Sequence, residues 1–365
     1  MTNTNYAVGP GEYLEEWIED EGLTQARVAD LMGVSRKHVN EIVNGHASIT
    51  PETALALEKV VGIPAKAWLK YEAMYREDLA RIQDEESLAD HASDIAPGAA
   101  TYLRKLGVTN ADMRHPGKLV SDFLAFHRCG TWDAYLDRHV EATTGDYALA
   151  ALKDSGSSLD QTLLSTWLRA AELTEGYERA RGFDYRAEDL RDALPELRSR
   201  AATPDGKMMH DLSGMLAEAG VALLGVEPPK KLPLLGMTRW IDKRVPVIQQ
   251  TGRWGRDGFV IWTLFHEIGH VLNDPRGELH IEYSTERKRN SAAETGANKF
   301  AMKTLFGPDQ LEPFRGLTRD SDIAATAKEM GVAPGVAVQQ LHRKRWLDYR
   351  CGNKLFVDIA DSFIQ

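Results

Sequence analysis

The pattern His266-Glu267-Ile268-Gly269-His270, set inside the apolar run 262–272, constrains this chain more than any other feature. Around it Ile261, Leu264, Phe265, Ile268, Val271 and Leu272 recur at three and four residues, the period of a helix buried against a sheet. Side chains four apart on a helix stand one turn apart on one face, so His266 and His270 project together. Two imidazoles at that separation can grip one Zn²⁺, and Glu267 beside them reaches a water on the metal. The plainer alternative is a buried helix with two incidental histidines.

Two imidazoles do not complete a catalytic zinc site, which takes a third protein ligand. A metzincin would place glycine at 273 and a third histidine at 276, where this chain has Asn273 and Arg276. The favoured third ligand is Glu294, in a second helix-like segment, Ala292 to Ala301, which gives the His₂Glu set of gluzincin-type proteases. Asn298, one turn further on the same face, is expected to hold a ligand imidazole. His280 and Glu282 are rival ligands in a polar stretch that reads as loop, and Tyr283 or His280 is the expected oxyanion stabiliser. With Zn²⁺ on His266, His270 and Glu294, Glu267 acts as the general base.

This site also carries a family likeness. The run 265–272 followed by Glu294-x-x-Ala297-Asn298-x-Phe300-Ala301 is similar to the ImmA/IrrE metallopeptidases, as are the stretches 166–172 and 325–335. The resemblance implies a zinc endopeptidase that cleaves a repressor protein.

Upstream of the site the chain reads differently. Tyr13, Leu14, Trp17 and Ile18 give helical spacing; Thr24 caps a helix from Gln25 to Met32; Gly33 makes a turn; Ser35 caps a third helix that ends near Asn44 and Gly45. Ala29, Gly33, Val39 and Ile42 sit at helix-turn-helix spacing, since two steeply crossed helices need a small contact residue, a left-handed turn residue and apolar anchors. Arg36, Lys37, His38 and Asn40 then face outward toward base edges and phosphates, and Gln25 and Ser35 stand at helix starts suited to phosphate contacts. The flanking Glu12, Glu15, Glu16, Glu19, Asp20 and Glu21 are acidic, so spacing carries this reading and bulk charge does not.

The segments Pro10 to Leu14, Leu23-Thr24-Gln25, Val34-Ser35-Arg36, Asn44-Gly45, Ile49 to Ala54 and Ala67-Trp68-Leu69 resemble the HigA-type branch of Xre helix-turn-helix regulators. That branch comprises antitoxins and autorepressors, usually dimeric on palindromic operators. The resemblance implies operator DNA, a cognate toxin or repressor protein, and a second copy of the chain as partners.

Between these regions, residues 101–106, 119–127, 147–152, 163–173 and 187–197 read as helices, with Asp84-Glu85-Glu86 and Ala96-Pro97-Gly98 as a linker. Their histidines, His91, His115, His127 and His139, are scattered and read as surface or structural. A length of 365 residues suggests two or three domains. We expect a helix-turn-helix domain over 1–82, a helical linker or sensor region over 83–207, and a metallopeptidase-like domain over 208–365. The fold class is mainly α: a five-helix, lambda-repressor-like N-terminus, a helical middle, and a small α+β C-terminal domain with a short mixed or antiparallel sheet. Cys129 and Cys351 form no zinc pattern or disulfide framework. The N-terminus lacks a signal peptide and no apolar run approaches a membrane span, so a cytoplasmic protein is expected. A net charge of −10 argues against a broadly basic nucleic-acid coat, though not against a local reading surface.

Overall fold

The computed structural model describes residues 7–139, 160–230, 232, 234–252, 255–277, 280–283 and 292–359. These form two compact units, one of residues up to Ala92 with Ala111–Ser121, the other of the remainder.

The described residues 7–88 of the first unit form five helices: α1 (Pro10–Asp20), α2 (Gln25–Met32), α3 (Arg36–Val43), α4 (Pro51–Val61) and α5 (Ala65–Leu88). Their boundaries follow local chemistry. Thr24 Oγ1 accepts from the Arg27 amide at 3.2 Å, Ser35 Oγ from the His38 amide at 3.1 Å and Thr50 Oγ1 from the Thr53 amide at 3.3 Å, each satisfying a donor that the first helical turn leaves orphaned. Gly33 closes α2 with a φ of 70°, a left-handed conformation that glycine adopts without steric cost. Val28, Ala29, Val39 and Ile42 then meet Leu14, Leu57 and Trp68 in one buried core. The expected break at 84–86 is instead the end of α5. Pro97 does not mark a linker either, because it opens the next helix at a position where its missing N–H costs nothing.

In chain order there follow α6 (Pro97–Lys105), α7 (Pro116–His127), α8 (Trp132–His139), α9 (Gln161–Ala171), α10 (Glu175–Ala180), α11 (Ala187–Ala201) and α12 (Met208–Glu218). The helix expected over 147–152 lies outside the described residues. Next come β1 (Ala222–Gly225), β2 (Leu234–Ile241), β3 (Val245–Gln250), α13 (Asp257–Asn273), β4 (His280–Tyr283), α14 (Ala292–Phe306), α15 (Asp320–Met330) and α16 (Pro334–Lys344). Among these residues no helix is long and apolar enough to cross a membrane.

The sheet is mixed, in the order β1-β3-β2-β4, with β1 parallel to β3 and the other pairs antiparallel. Asp242 and Lys243, at φ 52° and 55°, make the tight β2–β3 turn, the positive-φ pair that matches strand twist. Pro246 predicts an edge strand, yet β3 is central. The proline escapes conflict because the ladder to β1 begins one residue later, at Val247 opposite Ala222. The stretch around 280 reads as loop in the sequence but forms β4, which pairs with β2 through a bulge between Leu234 and Gly236. The helix α13 is buried along nearly its whole length, and Leu264, Phe265 and Ile268 join Leu223, Trp240 and Ile248 in the main core.

Apart from the α13 histidines, the described residues of this second unit bury two further polar clusters. Glu172 accepts from Arg169 Nη1 at 2.7 Å and from Arg239 Nη1 at 3.0 Å, with all three side chains at most 9% exposed. His127 and His139, which sequence scatters, pack ring to ring at 4.8 Å and are both buried. Burial holds His127 well below the ordinary imidazole range and His139 at about 4. A depressed histidine favours folding where it is neutral, so this contribution is complete above about pH 6.5 and lost as pH falls toward 4. Acidification from pH 7 to 4.5 should therefore lower stability, with a His139 share on the order of 2 kcal/mol. Urea titrations followed by tryptophan fluorescence at both pH values check this; an equally steep pH dependence in His139→Gln would contradict it.

Candidate metal centre and DNA-reading face

Two observations define the centre: α13 carries both histidines on one face, and α14 comes unusually close to that face. Gly269 makes the approach possible, since a β-carbon there would lie 3.1 Å from Ala297 Cα and from Phe300 Cδ1. The gap that would separate two ordinary helices is closed, and Glu294, in the first turn of α14, reaches both imidazoles. His266 Nε2 lies 3.1 Å from His270 Nε2 and 3.4 Å from Glu294 Oε2, and His270 Nε2 lies 3.8 Å from Glu294 Oε1. Tetrahedral zinc, with bonds of about 2.0–2.2 Å to nitrogen and oxygen, keeps its ligand atoms about 3.3 Å apart. The separations and the N, N, O donor set fit that ion.

The electrostatics agree with a set of donors held in the form that binds a cation. Burial, reinforced by His266, depresses His270 below the ordinary imidazole range. Burial pushes Glu294 up, but hydrogen bonding to His266 and the nearby imidazoles outweigh it and the carboxyl is lowered. Glu267 is 1% exposed and stands beside His266 on α13, outside this donor set.

Among the described residues Asn298 makes no hydrogen bond to an imidazole. Its amide donates to the Glu294 carbonyl at 2.8 Å and its Oδ1 accepts from Arg343 at 3.4 Å. The group that meets an imidazole is Asp274, which sequence reasoning passed over: His270 Nδ1 donates to its Oδ2 at 2.6 Å. Its position four residues beyond His270, on the same helical face, was the available signal. His280, a rival ligand on sequence, stacks on His270 with ring centroids 3.8 Å apart, and its Nε2 lies 3.2 Å from Asp274 Oδ2. Burial, with His270 adding to it, lowers His280 to about 4. The side chains of Glu282 and Tyr283 lie outside the described part of the chain.

In the first unit, Arg36, Lys37 and Asn40 are exposed on α3, with Ser35 at its start. Ser35 serves as the α3 cap, and Lys37 pairs with Glu41 at 3.5 Å. The Asn40 amide donates to Gln25 Oε1 at 3.2 Å, joining the starts of the two crossed helices. His38 departs from the expected outward face: half-buried, it turns toward α4, with Nε2 3.5 Å from Thr53 Oγ1. The exposed polar face is therefore Arg36, Lys37 and Asn40, with Gln25 alongside.

Comparisons with known proteins bear on this unit. A helix-turn-helix family model matches residues 14–68. The chain is similar to Virulence-associated protein I of Dichelobacter nodosus, 37% identical over 83 residues that cover 22% of this chain and 76% of that protein. No solved structure matches. The residues matched are those that build α1 to α4 and the start of α5, with the capped, glycine-turned pair α2–α3 at their centre. By these residues the chain belongs to the helix-turn-helix family, and it is a DNA-binding regulator.

Proposed function

We propose that this regulator carries a zinc peptidase centre in its second unit, so that one chain joins operator binding to cleavage of a protein. The observation that carries the reading is the convergence of His266 Nε2, His270 Nε2 and the Glu294 carboxylate beside a buried fourth group, Glu267. His266, His270 and Glu294 would hold the ion. When bound, zinc supplies an acidified water and polarises a substrate carbonyl. Glu267 takes a proton at its carboxylate and returns it to the departing amine. The apolar core around α13 limits water and strengthens each electrostatic contact. On the DNA side, Arg36 and Asn40 read base edges, while Lys37 and Gln25 contact phosphate. The substrate class is a repressor, a cognate toxin or this chain itself, and the operator-binding form is a homodimer, as the sequence resemblances imply. An antitoxin or autorepressor role fits the same arrangement.

The two halves are tested on the full chain. Zinc content after dialysis should be one ion per chain in the wild type and none in His266→Ala. Binding to the promoter DNA of its own gene, followed by gel shift, should weaken at least tenfold in Arg36→Ala with Asn40→Ala. Incubation with the neighbouring gene's product should yield discrete fragments. Zinc retention and DNA binding with no fragments would reduce the centre to a binding module that holds a toxin or senses a signal. Absence of zinc would end the peptidase reading.

A further inference from the structure

Two groups of donors meet at His270. The first, with His266 and Glu294, uses Nε2; the second, with Asp274 and His280, uses Nδ1. Both could hold a cation by residue type, and distance separates them. Atoms of one tetrahedral ion stand about 3.3 Å apart. The first group shows 3.1, 3.4 and 3.8 Å. His270 Nδ1 and Asp274 Oδ2 are 2.6 Å apart, too short for two ligands of one ion and suited to a charge-assisted hydrogen bond.

We infer that Asp274 is the positioning residue of the metal centre: it holds the proton on His270 Nδ1, and so keeps the Nε2 lone pair aimed at the site shared with His266 and Glu294. This rests on the zinc reading above. Three further observations fix Asp274 in that role. Its backbone is set by the end of α13, where its own amide donates to the His270 carbonyl at 3.1 Å and the Asn273 side chain closes the preceding turn on Gly269. The residue has left helical geometry, with φ −99° and ψ 160°, while its carboxylate returns to the ring one turn back. From the other side His280, carried by β4, stacks on the same ring and brings Nε2 to 3.2 Å from the same oxygen. Asp274 thus lies between two imidazoles, only one of which is in the donor set with Glu294. His280 is a neighbour that confines the carboxylate, and we assign it no bond to the ion.

A carboxylate hydrogen-bonded to a ligand imidazole raises ligand basicity and fixes the ring, and its loss costs about 10–100-fold in metal affinity. The test is competition for zinc between the full-length protein and a chromophoric chelator, for wild type, Asp274→Ala, Asp274→Asn and His280→Gln. Circular dichroism of each apoprotein establishes that it is folded. Asp274→Ala should bind one zinc per chain, 10–100-fold more weakly than wild type. Asp274→Asn accepts the same hydrogen bond without the charge and should fall between them; it also serves if the alanine variant does not fold. A purely structural role would lower the apoprotein's stability without this graded loss of affinity. His280→Gln should bind one zinc with a smaller loss than Asp274→Ala. Wild-type affinity in Asp274→Ala would overturn the inference and leave the zinc centre standing. Two zinc ions in wild type and one in Asp274→Ala would overturn it by making Asp274 a ligand. No zinc in the wild type would overturn both readings.

Discussion

Glu267→Gln is expected to keep its zinc and its DNA affinity and to lose cleavage by about 10²–10⁴-fold. The substitution preserves shape and removes the carboxylate proposed to move the proton. Because Glu267 stands outside the donor set of His266, His270 and Glu294, zinc retention should be untouched. Because it is 1% exposed within α13, a near-isosteric replacement is needed; alanine would open a buried gap and confuse loss of chemistry with loss of packing. Cleavage of the purified target, zinc content and operator gel shift are measured on one preparation. Cleavage at the wild-type rate would remove Glu267 from the mechanism. Loss of zinc together with cleavage would make it a ligand or a fold-determining residue.

Glu172→Ala should destabilise the second unit by about 3–5 kcal/mol. Glu172 stands between Arg169 and Arg239, each within 3.0 Å and each nearly sealed from solvent. The guanidinium groups also donate to the Phe126 and Leu168 carbonyls, so they cannot leave without stranding backbone acceptors. Removing the carboxylate takes away the anion that both buried guanidinium groups share, which costs far more than the net value of an intact pair. Urea unfolding of wild type, Glu172→Ala and the double variant Glu172→Leu with Arg239→Met reads the effect. The double variant should recover only part of the loss, since it removes one of the two stranded guanidinium groups and leaves Arg169 without its carboxylate. A single-variant cost below about 1 kcal/mol would place the cluster among weak surface-like pairs.

The sequence made most of this architecture readable where a feature depends on neighbours along the chain. Thr24, Gly33 and Ser35 announce α2 and α3 because caps and turns are satisfied within three or four residues. The α13 helix and its paired histidines follow from one periodicity. Long-range pairings were closed to that reasoning. Glu172 and Arg239 are 67 positions apart, and their meeting depends on how α9 lies on the sheet. β4 is four residues long and rich in polar groups, and it is a strand because β2 offers it a ladder. Until that ladder is known, nothing places His280 on His270. Asp274 is four residues beyond His270, but it lies just past the end of α13, and only the folded C-terminus of that helix shows its carboxylate returning to the ring. Pro246 misled because a rule about ladder donors depends on where the ladder starts.

The bond from Asn40 to Gln25 has a consequence for selectivity on DNA. Long polar side chains usually arrive at a groove as a mixture of rotamers, and much of their attraction for a base is cancelled by the freedom they lose on docking. Here the Asn40 amide is held on Gln25 before any contact is made. As the proposed base reader, Asn40 fixed in this way would lose little entropy on the right sequence and adapt poorly to a wrong one. On the proposed reading, replacing Gln25 should therefore lower discrimination between operators as well as remove a phosphate contact.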